Sequence, residues 1–346
     1  MTLLAVPTLW LYSPPSPAAE PCELVTVESL DLGSMEDARG PAGITWVAFG
    51  TDGRYYAVSQ SLPAAGVLVY DEDGRYVGAL GGAGQGPGEF EYPWRITATP
   101  GGEVLVHDLN SGVHVFGVDG AYRRTISGLP SPMHAAVAPN DSQLAIHNPR
   151  VRHQSAPARE VNVFSLETGD WLRGLGPTGE LRAGTPHGVG LIGYSAAEDG
   201  LWLSLSEAGR LEKWSPAGTL LAEVEWARLA AQAGVEGIRP SALWEDPTGS
   251  ELWVLVSVPL NDEAAAVEPS QALPADHFAP SGLARRFDSV IVLMDRGTGE
   301  VRAVRRWDDP IHGFLRDGRL VRMAESAEGW QWIQVIFLSL ECPEPA

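Results

Sequence analysis

Histidine and carboxylate side chains are where this sequence could do chemistry, and none of them forms a compact local motif. Of eight histidines, His134, His187 and His312 lie far apart along the chain. Three imidazoles brought together would bind zinc and leave a fourth position for water, as in a catalytic metal site. A second set comprises His107-Asp108, His147-Asn148 and Glu207. A carboxylate and an amide side by side could hold calcium, which takes oxygen donors, or a polar ligand. Trp94 would add an aromatic surface for that ligand. Each set also has a plainer reading. The histidines can be scattered polar residues in contact with water, and Asp108 and Asn148 can cap their own turns through the backbone. Asp71-Glu72-Asp73-Gly74 lacks the rest of a calcium loop. The glycine run Gly81–Gly88 lacks the Gly-Lys-Ser/Thr of a phosphate loop. No nucleophile elbow and no Ser/His/Asp set is evident. Whether the chain is an enzyme is left open by these residues.

Such scattered groups can meet only if the elements carrying them are arranged around a common point. Short strand-like runs alternate with turn dipeptides, and helical periodicity is almost absent. One series of turns reads Asp52-Gly53, Gly101-Gly102, Asn140-Asp141, Asp199-Gly200, Thr248-Gly249 and Asp317-Gly318. A second reads Asp73-Gly74, Asp119-Gly120, Thr168-Gly169, Ala217-Gly218 and Thr298-Gly299. These residues adopt positive φ at little cost, as tight hairpins require. The two series alternate with a period of roughly 40 to 60 residues, the spacing of four-stranded propeller blades. The first series has one member more than the second, so the last blade lacks its outer strand. Leu24-Val25-Thr26-Val27 and Leu30-Asp31-Leu32 can supply it by pairing with Ile333–Leu338. The expected fold is therefore all-β: a six-bladed β-propeller of four-stranded antiparallel blades, closed by its N-terminal strand on the C-terminal blade. Closure removes an exposed sheet edge.

In that fold the innermost strands line a channel, and the b–c and d–a connections share one face. His134 and His187 fall near the start of innermost strands, and His312 lies near the same point in the last blade. His107-Asp108 and His147-Asn148 fall where second strands end. The two cysteines, Cys22 and Cys342, lie where antiparallel closure would bring the ends together. A disulfide there would close a loop of about 320 residues and stabilise the ring by roughly 4 to 5 kcal/mol in chain-entropy terms.

The propeller should occupy residues 22–346 as a single domain, with residues 1–21 a signal-like or disordered N-terminal segment. Residues 3–13 form an apolar run too short to cross a membrane. Small residues follow it, with Ser16 and Ala18 placed for cleavage, although no basic residue precedes it. Export to the periplasm or outside the cell is the expectation, with no transmembrane segment. The fifth blade carries a long polar, proline-punctuated insertion at about 257–288, of a length usually functional or disordered. Trp202 and Trp253, two of twelve tryptophans, sit at repeat-equivalent positions and read as packing between blades. A formal net charge of −20 argues against a nucleic-acid partner, because phosphate binding needs clustered Lys and Arg. A monomer is expected, with an unidentified small molecule, peptide or protein as partner.

Gly81-Gly82-Ala83-Gly84-Gln85-Gly86-Pro87-Gly88-Glu89-Phe90 is followed by Pro93, Val104-Leu105-Val106-His107-Asp108, Val113-His114-Val115-Phe116 and Asp119-Gly120. This stretch resembles an NHL repeat, and more narrowly the bacterial six-bladed propellers whose blades are joined by a Gly-Pro-Gly-Glu-Phe loop. The segment after Asp108 is one residue shorter than in that repeat, and the usual Arg before the third strand is absent. The resemblance implies a six-bladed fold in which the Phe anchors the loop between blades. It does not imply one activity, because the fold hosts binding proteins and also zinc-dependent amidating lyases and calcium-dependent lactonases with channel metals. Two functions follow as expectations: an exported binding protein with its ligand surface at the channel mouth, or a zinc- or calcium-dependent lyase or hydrolase acting in the channel. No cofactor is certain.

Overall fold

The computed structural model describes residues 22–33, 44–59, 66–130, 135–147, 159, 161–176, 192–195, 200–205, 209–235, 240–259, 287–308, 311–325 and 331–343. The first strand, β1 (Glu23–Leu32), stands apart in sequence from the sheet it joins. Blade 1 is β2 (Ile44–Phe49), β3 (Tyr55–Ser59), β4 (Gly66–Tyr70) and β5 (Tyr76–Leu80). A two-residue parallel pair, β6 (Gly82–Ala83) and β7 (Glu89–Phe90), leads into blade 2: β8 (Pro93–Ala98), β9 (Val104–Asp108), β10 (Gly112–Phe116) and β11 (Tyr122–Ile126). Blade 3 is β12 (Ala135–Asn140), β13 (Gln143–His147), β14 (Val161–Ser165) and β15 (Trp171–Leu175). Blade 4 is β16 (Ile192–Ser195), β17 (Gly200–Leu205), β18 (Arg210–Trp214) and β19 (Leu220–Glu225), followed by helix α1 (Trp226–Ala233). Blade 5 is β20 (Pro240–Glu245), β21 (Glu251–Pro259), β22 (Phe287–Asp295) and β23 (Val301–Trp307). The chain ends with β24 (Ile311–Phe314), β25 (Leu320–Glu325) and β26 (Gln331–Glu341).

Six four-stranded sheets result, and the sixth has the order β1-β26-β25-β24. Where they are described, both series of turn dipeptides join strands as expected: the first links strands a and b, the second strands c and d, and Asp199 lies outside the described residues. Gly74 shows why glycine is needed, since its φ is +76° and a Cβ would meet the Asp31 carbonyl oxygen at 2.3 Å. β1 runs antiparallel to β26 from Glu23↔Glu341 to Leu32↔Ile333, with a bulge between Thr26 and Glu28. Arg305 of β23 donates to the Leu24 carbonyl at 2.8 Å, tying the closing strand to blade 5 as well. Cys22 and Cys342 form a disulfide with their Cα atoms 4.2 Å apart, across a sequence separation of 320.

The core is divided among the interfaces between blades. Leu32, Tyr55 and Leu68 pack against Leu315, Ile333 and Val335, joining the last blade to the first. Phe90 lies between Val58, Val67 and Leu80 of blade 1 and Ile96, Val104 and Phe116 of blade 2. The loop phenylalanine is thus the anchor that the resemblance implied. Equivalent apolar clusters fill the four remaining junctions. Trp202 belongs to the cluster between blades 4 and 5, and Trp253 to that between blades 5 and 6.

Two details differ from the sequence reading. The β21–β22 ladder continues to Pro259↔Phe287, so residues 257–259 and 287–288 are strand rather than insertion. Residues 260–286 lie outside the described residues. Helix α1 was not expected either. It buries Leu229 in the blade 4–5 core, with Ala230 also buried, and ends at Gly234, whose left-handed φ of 66° lets its N–H reach the Ala230 and Ala231 carbonyls.

Candidate functional site

The innermost strands touch in chain order, β2 to β8, β8 to β12, β12 to β16, β16 to β20 and β20 to β24. Four of them begin with the same irregularity. In β2 the pairing skips from Ile44 to Trp46, in β8 from Pro93 to Arg95, in β20 from Pro240 to Ala242, and in β24 from Ile311 to Gly313. Thr45, Trp94, Ser241 and His312 are therefore bulge residues, left unopposed by the neighbouring strand. They occupy the second position of the inner strands in blades 1, 2, 5 and 6, respectively, all at the end where the b–c and d–a connections leave the sheets. Bulges of this kind redirect a side chain relative to the ladder and cluster beside functional sites.

Trp94 and Tyr92 form a nearly parallel pair, with ring centroids 6.2 Å apart and planes 19° from each other. Tyr92 is 42% exposed, as is its neighbour Leu109 at 40%. The next residue, Arg95, is buried and places its guanidinium carbon 4.4 Å from the centre of the Trp46 ring. Within the bulge, Ser241 donates its hydroxyl to the Leu255 carbonyl at 3.3 Å. His312 is buried at the corresponding position of blade 6.

Asp108 underlies this surface. Its Oδ2 accepts from the backbone N–H groups of Glu91 at 2.8 Å and Tyr92 at 2.7 Å. Its Oδ1 accepts from Asn110 at 2.8 Å and Ser111 at 3.0 Å. One carboxylate thus holds both the β9–β10 turn and the glycine-rich loop. Burial pushes its pKa up, but these backbone donors outweigh burial and hold it below the ordinary carboxylate value. The geometry is that of a cap, with both oxygens engaged by four backbone donors.

His107 is almost completely buried, and neither ring nitrogen has a hydrogen-bond partner among the described residues. Burial, with the Arg95 charge adding to it, pushes its pKa down to about 3, so the ring is neutral at physiological pH. Its cross-strand neighbour Val113 belongs to the blade 2–3 core. His147 is also buried, and its neighbour Val161 belongs to the blade 3–4 core. Directly opposed residues share a sheet face, so these two histidines occupy successive inter-blade cores and do not face each other. His134, His187, Asn148 and Glu207 lie outside the described residues. Among the described residues, no group of three or more His, Cys, Asp or Glu side chains could hold a metal ion.

The opposite mouth has a different character. Arg316, in the β24–β25 turn, donates from Nη1 to the Ala98 carbonyl at the end of β8, 3.2 Å away. Its own carbonyl accepts from Trp244 Nε1 of blade 5 at 3.1 Å. A single residue thus links blades 5, 6 and 2, crossing the a–b side of the channel past blade 1.

The sequence marks Trp94 and Asp108 but gives no signal for Tyr92, Ser241 or Arg316. Bulges depend on pairing register, which no local motif announces. No family model matches this sequence, and no curated protein matches it. Solved structures do match. A Bacteroides fragilis protein described as a "Putative exported protein" superposes with a TM-score of 0.58 at 10% identity, over 93% of this chain and 96% of that one. The β-propeller domain of a Myceliophteria thermophila protein gives 0.45 at 14% identity, over 91% and 99%. Hydrazine synthase of Kuenenia stuttgartiensis gives 0.49 at 14% identity, over 83% and 75%. At these identities the first likeness speaks to fold alone, and the other two carry no argument.

Proposed function

We propose that this chain is an exported binding protein of the NHL-repeat-like propeller type, with its ligand surface at the channel mouth on the b–c face. The observation that carries this reading is the recurrent bulge, which sets Trp94, Ser241 and His312 outside the ladder at one end of the inner strands. The exposed Tyr92 and Leu109 beside it give a ligand apolar area to cover. The Arg316 link across the other mouth supports access from this side. A disulfide suits an oxidising compartment, and one structural neighbour is described as exported. The metal-dependent lyase or hydrolase alternative has no comparable observation behind it, because Asp108 is engaged in capping and His107 is enclosed in a core.

The test is a thermal-shift screen of small molecules and peptides against the wild type and a Trp94→Ala variant. A ligand should raise the melting temperature of the wild type and lose that effect in the variant, because binding only the native state stabilises it. Ligands that stabilise both proteins equally would sink the channel-mouth reading.

A further inference from the structure

The molecule repeatedly covers its own aromatic faces with guanidinium groups. Arg95 lies 4.4 Å from the Trp46 ring centre, Arg305 3.9 Å from that of Trp307, and Arg319 4.4 Å from that of Phe49 and 4.5 Å from that of Phe337. At the channel mouth, the residue Tyr92 is 42% exposed. We propose that the Tyr92–Trp94 platform is a subsite for the guanidinium of an arginine side chain in a peptide. This deepens, and rests on, the channel-mouth reading above.

Three features support the assignment. First, the two rings stack within 19° of parallel, and the exposed Tyr92 offers a guanidinium a flat face rather than a cage. A planar guanidinium stacks on a flat aromatic face, whereas a compact ammonium gains most where several faces converge on it. Second, exposed carboxylates immediately precede Tyr92 in the chain. Glu89 and Glu91 are both exposed, with Glu91 Oε1 held by Gln85 and Glu89 Oε2 by the Gly86 N–H. They are positioned on a molecule whose formal net charge is −20, which favours a cationic partner. Third, the platform is held in place before anything binds. The Tyr92 N–H is fixed by Asp108 at 2.7 Å, and its carbonyl accepts from the Leu109 N–H at 3.0 Å. Leu109, 40% exposed at the edge, gives the aliphatic stem or a neighbouring peptide residue an apolar contact. A peptide is favoured over free arginine for that reason.

The experiment is isothermal titration of the full chain with a blocked arginine pentapeptide, its lysine counterpart and free arginine. The arginine peptide should bind at least about fivefold more tightly than the lysine peptide, the scale of a stacking preference. Tyr92→Ala should weaken it by about fivefold to tenfold, Tyr92→Phe should restore it, and Glu91→Gln should weaken it while flattening its salt dependence. Equal binding of the two peptides would reduce the effect to general charge attraction and overturn the proposal. So would an unchanged affinity in Tyr92→Ala, or free arginine binding as tightly as the peptide. Suppose the arginine peptide fails while a neutral ligand from the screen is released by Trp94→Ala. The guanidinium assignment then falls and the channel-mouth reading stands. If no ligand of any class depends on Trp94, both fall.

Discussion

His107 shows how position decides what a side chain can do. In sequence it belongs to a His-Asp pair suited to a polar ligand; in the fold it is enclosed between blades with its ring neutral. Its ordinary value of 6.5 is lowered to about 3 in the native state. Between those two values the unfolded chain binds the proton and the native chain does not, so stability falls as pH drops through that window. For one group the slope reaches about 1.4 kcal/mol per pH unit. Melting temperatures taken from pH 7 down to pH 4 should fall less steeply for His107→Leu than for the wild type. Parallel curves would show that the ring does not carry this linkage. Asp108, next in sequence, turned out to be the cap that its plainer reading described.

Elements were more legible than sites because hairpins announce themselves. Dipeptides such as Asp52-Gly53 and Asp119-Gly120 mark where chain direction reverses, and counting them was enough to order the blades. Helix α1 was overlooked although Trp226, Leu229, Ala230 and Ala233 share a helical spacing and Gly234 terminates it. A helix this short is easily lost among strands of similar composition. The bulges left no local trace, and with them went Ser241. Between elements, the chain's lone lysine, Lys213, is another feature that only the fold reveals. Fully buried on β18, it meets Glu245 of β20 at 2.8 Å, and the same carboxylate accepts from Trp202 Nε1 at 2.8 Å and pairs with Arg296. This network joins blades 4 and 5 in the plane of their apolar core. Lys213→Met should cost about 3–5 kcal/mol by chemical denaturation, the penalty for breaking a buried pair from one side. A loss below about 1 kcal/mol would mean that Arg296 and Trp202 suffice for Glu245.

For the whole molecule, the ring depends on one covalent and one hydrogen-bonded closure at the same seam. Replacing Cys22 and Cys342 with serine should lower stability by up to about 5 kcal/mol, and reduction of the wild type should do the same. If reduction leaves the denaturation midpoint where it was, the β1–β26 ladder alone holds the seam. That seam was readable because a shortage of one outer turn left a strand missing, and the cysteines lay at the two chain ends that could supply the remedy.

Borrowing β1 for the sixth sheet also imposes a timetable on folding. Ribosomes make this strand before any blade, yet its partner β26 is the last of the described strands to be made. A nascent chain can pair strands within blades 1 to 5 as they emerge, but it carries β1 as an open edge throughout synthesis. Completion must therefore be a late, long-range step, with the slow kinetics that such pairings entail. Any truncation before β26 should release a protein whose first strand has nowhere to dock.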